Sequence, residues 1–402
     1  MIRTVSMVLS KLDLIEIKEM RKFSLVKATF RKYCLVCFTI VDFGTAKLRK
    51  PNQNRNFLVI FNFLPHDMDL RKRILSFAEL GTLLPGMLKN NIWEQAFQDN
   101  NWFTKSEIAR ALNTWSSLLT QDNLNLWTDS YTIPVDPANR NILVITAGNI
   151  PLVGFHDFLT VLISGNRFFG RLSSRDNRLI AILAEELIRI EPLFTDQIHF
   201  QNFPTSPDAA IATGSDNSSR YFRLTYAQIP HIIRKNRSSI AILDGTETTG
   251  ELINLAGDVL EYYGLGCRSV SHLFLPVGYP PENLMKPLSF YNQIDPCDPH
   301  IDNLLYQRAR LSVLNIPYLD TGQILLVGSD NLHSPIGVVH YSFYEDRDQL
   351  LKSLKDKNTE IQCIAGHPSI DSKLVPFGSA QKPELWDYAD EVDTMEFLTG
   401  LR

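Results

Sequence analysis

Residues 141–172 read NILVITAGNIPLVGFHDFLTVLISGNRFFGRL, and their pattern decides the fold. Ile142–Thr146 is a continuous apolar run closed by Thr, as a strand buried on both faces requires. Gly148-Asn149-Ile150-Pro151 supplies a turn with Pro near the first position of a helix. Leu152, Phe155, Phe158, Leu159 and Leu162 recur at helical spacing, and Gly165-Asn166 stops that helix. Arg167–Leu172 returns as a short strand. Strand, crossover helix and second strand in this space form the unit of a parallel sheet.

The alternation continues downstream. Ile180, Leu183, Ala184, Leu187 and Ile188 mark a helix, and Ala209–Ala212 and Ser239–Leu243 read as strands. Thr248 and Glu251 have capping-box spacing before an apolar face running from Leu252 to Tyr263, with Gly264 closing the helix. Val270–Leu275, Gln323–Val327 and Gly337–Phe343 read as strands, Asp348–Leu354 as a helix and Ile361–Ala365 as a last strand. Upstream, Met68 to about Tyr131 is helical. There Thr104 and Glu107 have capping-box spacing, and Ile108, Leu112 and Trp115 follow at helical intervals. The expectation is an α/β protein with an N-terminal helical layer.

The chain has 402 residues, 44% hydrophobic and 21% charged, enough for two or three domains and unlike a disordered or fibrous chain. Its net charge of −4 gives no pull toward nucleic acid. That total joins two unlike pieces: residues 1–67 hold 12 Lys and Arg against 5 Asp and Glu, whereas residues 68–402 hold 28 against 39, a balance of −11. No apolar run reaches the length of a membrane span. Five sparse cysteines, Cys34, Cys37, Cys267, Cys297 and Cys363, do not make a disulfide framework, so a reducing cytoplasm is expected. A lone Cys34-x-x-Cys37 without a second pair is weak ground for a metal site, and none is expected. Residues 1–67 are expected to be a basic extension outside the folded body, with Met68 as a plausible native start.

The chemistry has few places to sit. There is no GxGxxG after a strand, no GxxxxGK[ST], no HExxH and no GxSxG. Cys267 lies in a glycine-flanked loop, Gly264-Leu265-Gly266-Cys267-Arg268, where Arg268 would favour a thiolate. It is either a nucleophile or a small apolar residue at a strand start, and spacing leaves both open. Asn149, at a strand-to-helix turn, is either an amide donor for an oxyanion or a helix cap. Thr213-Gly214-Ser215 ends a strand and either holds phosphate on backbone N–H groups or caps a helix. Cys297 has acidic neighbours that raise its pKa and is read as inert; Cys363 is read as core.

Taken in order, these segments resemble the aldehyde dehydrogenase superfamily, and within it the LuxC-type acyl-CoA reductases, particularly those of Bacteroidota. Asn149-Ile150-Pro151 with Leu162-Ile163-Ser164-Gly165-Asn166 is similar to the superfamily's Asn-Phe-Pro … Ala-Gly-Asn block. Arg171-Leu172-Ser173-Ser174 stands where the superfamily has Lys-Pro-Ser-Glu. Ala212-Thr213-Gly214-Ser215 resembles its Phe-Thr-Gly-Ser, and Arg237-Ser238-Ser239 its Gly-Gly-Lys-Ser-Pro. The Cys267 loop resembles the nucleophile segment. Phe377-Gly378-Ser379-Ala380-Gln381 and the stretch from Tyr388 to Met395 look like LuxC-type relatives. The resemblance covers residues 68–402.

The resemblance implies a helical region over 68–140, a Rossmann-like dinucleotide-binding domain over 141–243, a catalytic domain over 244–385 and a C-terminal segment over 386–402. It implies Cys267 as nucleophile and Asn149 as oxyanion donor, with Arg171, Ser173, Thr213, Gly214 and Ser215 at the cofactor. The implied reaction is NADPH-dependent reduction of an acyl-CoA thioester to a fatty aldehyde, with NADH as the alternative cofactor. Acyltransferase and synthetase partners and a homo-oligomer are implied with it. Two departures bear on this. The water-activating Glu of hydrolytic relatives is replaced by Ile233, and the ribose-holding Glu is missing near His333–Val338. The first disfavours oxidation of aldehyde to acid and suits thioester chemistry. An inactive acyl-CoA- or dinucleotide-binding subunit or sensor, and an oxidative aldehyde dehydrogenase, are the competing expectations.

Overall fold

A computed structural model describes residues 68–88, 92–134, 139–291 and 294–401. The basic segment with Cys34 and Cys37 lies outside them. The described residues open with four helices: α1 (Leu70–Met87), α2 (Ile92–Asp99), α3 (Lys105–Leu118) and α4 (Gln121–Thr128). Helix α1 starts where Asp69 Oδ1 accepts the Lys72 N–H at 2.8 Å. It buries Ile74, Phe77, Leu80 and Leu84 along one face. Helix α3 corrects one expectation. Thr104 stands at its N-cap but makes no side-chain cap bond. Its hydroxyl instead lies 3.0 Å from Tyr263 Oη, and the buried Glu107 accepts the N–H of Tyr262 at 2.9 Å. Both residues reach a distant loop, and neither forms the expected capping box.

The first sheet has five strands, all parallel: β1 (Asn141–Ile145), β2 (Arg167–Arg171), β3 (Ile198–His199), β4 (Ala209–Thr213) and β5 (His231–Arg234), in the order β3-β2-β1-β4-β5. Helices α5 (Phe155–Ile163), α6 (Leu179–Ile190) and α7 (Asp216–Thr225) connect them. The strand order reverses between β1 and β4, which opens a crevice beyond their carboxyl ends. The helix after β1 begins later than Pro151 suggests. Leu152 has φ of 60°, and a left-handed residue cannot continue a helix. Its N–H donates to Asp176 Oδ2 at 2.9 Å, and α5 starts only after Gly154. A side chain at Gly154 would overlap Thr146, so the tight turn requires glycine.

The second sheet has the order β11-β6-β7-β10-β9-β8 and is parallel except for β8 against β9. Its strands are β6 (Ser238–Ile242), β7 (Val270–Pro276), β8 (Leu319–Asp320), β9 (Leu325–Gly328), β10 (Val338–Tyr344) and β11 (Ile361–Gly366). Helix α8 (Thr249–Leu260) carries the expected capping box in full, with Thr248 and Glu251 bonded reciprocally. Helices α9 (Met285–Ser289), α10 (Asp298–Val313) and α11 (Arg347–Lys355) complete this half. Strand β6 pairs with β7 and β11, so the change from first to second sheet falls at residues 235–237, not after 243. The last helix, α12 (Thr394–Thr399), returns to the first half, where Met395 and Leu398 join the core around Phe158. Among the described residues no helix is long and apolar enough to cross a membrane.

Asp176 makes a testable contribution to stability. Burial pushes its carboxyl up to about 7 from 3.8, against the backbone bonds from Leu152 and Leu179. Between those two values the folded chain holds a proton that the unfolded chain releases, so stability falls as pH rises through that window. Asp176→Asn keeps an acceptor for Leu152 and removes the titration. Wild type should therefore lose more melting temperature than the variant between about pH 4 and about pH 8, by about 1 °C per kcal/mol of linkage in a chain of this size. Equal losses would show that the carboxyl does not titrate there.

Candidate active site

The loop carrying Cys267 is held in an unusual backbone path. After α8, Tyr262 and Tyr263 both have φ of 53°, and Gly264 follows with φ of 74°. Two consecutive bulky residues in left-handed conformation are strained and persist only when neighbours fix them. Glu107 takes the Tyr262 N–H, and Tyr263 Oη donates to the Asp295 carbonyl at 2.9 Å. The helix therefore ends at Leu260, one turn before the expected stop at Gly264.

Four further bonds seat the loop. Asn149 Nδ2 donates to the Leu265 carbonyl at 2.7 Å. Ser239 Oγ donates to the Cys267 carbonyl at 2.9 Å, and Arg268 Nε to the Ala380 carbonyl at 2.7 Å. Gln381 Nε2 donates to Ser269 Oγ at 3.0 Å. The segment Phe377–Gln381 is itself fixed by the buried Asp258, whose carboxylate accepts the N–H groups of Gly378 and Ala380 at 2.7 and 2.9 Å. The motif read near the C-terminus is thus a brace for the Cys267 loop. The loop sits at the amino end of β7, and the link at residues 235–237 sets that end of the second sheet against the carboxyl ends of the first.

Cys267 stands between two cavities. The larger, about 820 Å³, opens along the crevice of the first sheet and is lined by Asn149, Ser173, Thr213, Gly214 and Ser215, with Cys267 in its wall. The smaller, about 180 Å³, lies toward α3 and is lined by Ala111, Thr114, Trp115 and Leu118, with Cys267 again in its wall. Six of the seven residues singled out in the sequence therefore line the larger cavity. Arg171 does not: it is exposed, with its guanidinium carbon 5.4 Å from the centre of the Phe203 ring. Arg175 lines the cavity in its stead.

The Cys267 side chain is exposed to these cavities rather than to the outer surface of the core. Burial pushes its thiol up to about 11; Arg268 and Arg234 pull it down, and Asp390 and Cys363 push it further up. The expected help from Arg268 is present but outweighed, so the resting group at neutral pH is the thiol. Cys297 is buried, and burial ahead of Asp298 raises its pKa. Cys363 is half-buried, its Sγ 3.1 Å from Ser239 Oγ.

The sequence reading missed three charged residues at the site. Arg234 ends β5, and its Nη1 donates to Asp157 Oδ2 at 2.6 Å, an ion pair nearly closed to solvent. Asp390, in the wall of the larger cavity, pairs with Arg237 at 3.1 Å. The available signal was a charge inside an apolar element: Asp157 in the strongly apolar α5, and Arg234 closing a strand of His and Ile.

No family model matches the sequence, and no curated protein matches it. Solved structures do match. An NAD-dependent benzaldehyde dehydrogenase from Corynebacterium glutamicum superposes with a TM-score of 0.56 at 9% identity, covering 77% of this chain and 80% of that one. The fold is that of the aldehyde dehydrogenases. The indole-3-acetaldehyde dehydrogenase AldA of P. syringae, solved with NAD+ and IAA, matches with a TM-score of 0.55 at 10% identity over 75% of this chain and 73% of that one. Aldehyde dehydrogenase 21 of Physcomitrella patens, solved with the product succinate, matches with a TM-score of 0.53 at 12% identity over 73% of each. The aldehyde-dehydrogenase-like α/β fold expected from the motifs is therefore present, at an identity that speaks for fold alone.

Proposed function

We propose that this chain reduces the acyl thioester of coenzyme A to an aldehyde through an acyl-enzyme on Cys267, in the manner of the LuxC-type reductases it resembles. The observation that carries the reading is the position of Cys267 in the wall of two unlike cavities. The larger mixes polar with apolar surface and lies at a strand-order reversal; the smaller is the more apolar of the two, although Asp157, Arg234 and Arg268 also line it. Such a sulfur meets a cofactor from one side and an acyl group from the other.

The residues of the larger cavity fit a nicotinamide dinucleotide. Added Cβ atoms would lie 2.6 Å from Ser173 Oγ at Gly148 and 2.7 Å from Ser218 Cβ at Gly214, so backbone lines the crevice closely there. Thr213, Gly214 and Ser215 would hold the diphosphate and Ser173 the adjoining ribose; Arg171, outside the cavity wall, takes no part. NADPH, with NADH as the alternative, would supply the hydride that reduces the Cys267 thioester carbonyl.

The chain's own residues do the rest. The Cys267 thiol gives up its proton to solvent, its sulfur attacks the acyl carbonyl, and a C–S bond forms as the carbonyl electron pair moves to oxygen. One Asn149 Nδ2 hydrogen is committed to Leu265; the other, with the Cys267 backbone N–H, is available to the oxyanion. The coenzyme A sulfur then leaves with its electron pair and takes up a proton. After reduction the C–S bond to Cys267 breaks, its electron pair returns to the sulfur, and aldehyde departs. No water is activated in this sequence, which agrees with Ile233 at the place of the hydrolytic Glu.

Two measurements test the reading. With an acyl-CoA panel, loss of reduced-nicotinamide absorbance should vanish in Cys267→Ala and fall by about two to three orders of magnitude in Asn149→Ala. Turnover surviving in Cys267→Ala would sink it. The small cavity holds about six groups of water's size, which favours acyl chains of about that many carbons. Thr114→Phe should fill it and lower kcat/KM for octanoyl-CoA at least about tenfold relative to acetyl-CoA; an unchanged ratio would place the acyl chain elsewhere.

A second reading, oxidation of an aldehyde to an acid, is favoured by Asp390. Its carboxyl is raised by burial, against the pull of Arg237, Arg234 and Lys235, and it lines the larger cavity. Acid formed from aldehyde and NAD+ without coenzyme A, and lost in Asp390→Asn, would establish that alternative.

A further inference from the structure

Seven residues line both cavities, and of these Asp157, Arg234 and Cys267 are the ionisable ones. They come from α5, from the end of β5 and from the loop before β7. Arg234 is nearly closed to solvent, with Nη1 on Asp157 Oδ2 at 2.6 Å and Nη2 on Thr394 Oγ1 at 2.9 Å. Arg234 Nε and Asp157 Oδ1 are both buried without a hydrogen-bond partner. A buried ion pair is a poor source of stability, and leaving polar atoms of both members unpaired makes it worse.

We propose that Arg234 is a positioning residue that serves as the fixed counter-charge of the Cys267 thiolate, with Asp157 holding the guanidinium and tempering its charge. The inference rests on Cys267 as the nucleophile. The attacking sulfur and the sulfur released with the aldehyde are both anions, and negative charge passes through the carbonyl oxygen in between. A cation in the partition between the cavities stabilises each of these states. Burial opposes the anion, and the other groups facing the sulfur are Arg268, Asp390 and Cys363. Arg268, whose Nε bonds the neutral Ala380 carbonyl, keeps its charge and also favours the anion but lines only the smaller cavity; Asp390 is paired with Arg237. Arg234 in turn faces Asp157, Asp390 and Cys267. Arg234 is thus the cation that stands in the partition itself, and its hydrogen-bonded partner Asp157 can be neutralised separately.

That arrangement gives opposite signs for the two members of one pair. The rate of alkylation of Cys267 by iodoacetamide is measured against pH on the full chain, with the Cys267→Ala protein subtracted and the modified peptide identified by mass. Arg234→Gln should move the profile up by about one pH unit, and Asp157→Asn should move it down by about as much. Arg234→Lys keeps the charge and should leave the profile near wild type. Damage to folding alone would move Arg234→Gln and Asp157→Asn the same way, and that result, or an unmoved Arg234→Gln, overturns the proposal. Should Arg234→Gln fail to fold, the sign for Asp157→Asn decides. Acylation of wild-type Cys267 by acyl-CoA, followed in parallel, separates the two claims. Its failure removes the thioester reading while the alkylation shifts still decide the charge pair.

Discussion

A hydrogen bond of 2.7 Å from Asn149 Nδ2 to the Leu265 carbonyl ties the turn after β1 to the loop that carries Cys267. The first belongs to the carboxyl edge of one sheet and the second to the amino edge of the other. Much of the site depends on how that loop is held, because its backbone is strained at Tyr262 and Tyr263 and would relax if released. Glu107 from the helical layer, Ser239 from β6 and Gln381 from the C-terminal brace take up the remaining positions around it. Residues far apart in sequence thus converge on a few loop atoms, and the helical layer contributes to the site as well as to the core.

The electrostatics follow the same local logic. Residues 68–402 carry a balance of −11, which repels an anionic coenzyme at long range. The wall of the larger cavity reverses that sign with Arg175, Arg234, Lys235 and Arg237 against Asp157 and Asp390. Cys267 itself is a suppressed thiol at rest, raised to about 11. A low resting thiolate population protects a sulfur that is open to two cavities, and it puts the burden of activation on nearby cations and on whatever fills those cavities.

Much of this was readable from the chain. The apolar run of β1, the Thr213-Gly214-Ser215 strand end and the glycine-flanked Cys267 announce themselves through local composition, and the fold followed from their alternation with helices. What was not readable depends on tertiary contact. Strand β5 is four residues long and draws its stability from β4, so its periodicity is too brief to see; with it went Arg234. Thr104 and Glu107 have the spacing of a cap and are claimed by Tyr263 and Tyr262 instead. The onset of α5 shifted because Asp176 holds Leu152 left-handed, a contact across 24 residues. Arg171 matched a motif by position, and its side chain turned to Phe203.

The central claim is that Cys267 accepts an acyl group from a thioester. Incubating the full chain with a hexanoyl-CoA in the absence of any nicotinamide, then digesting it and weighing the peptides, tests that step alone. The account predicts one hexanoyl adduct on the peptide containing Cys267, sensitive to hydroxylamine and matched by release of free coenzyme A. Coenzyme A release with no adduct on that peptide, or an adduct that persists elsewhere in Cys267→Ala, would contradict it.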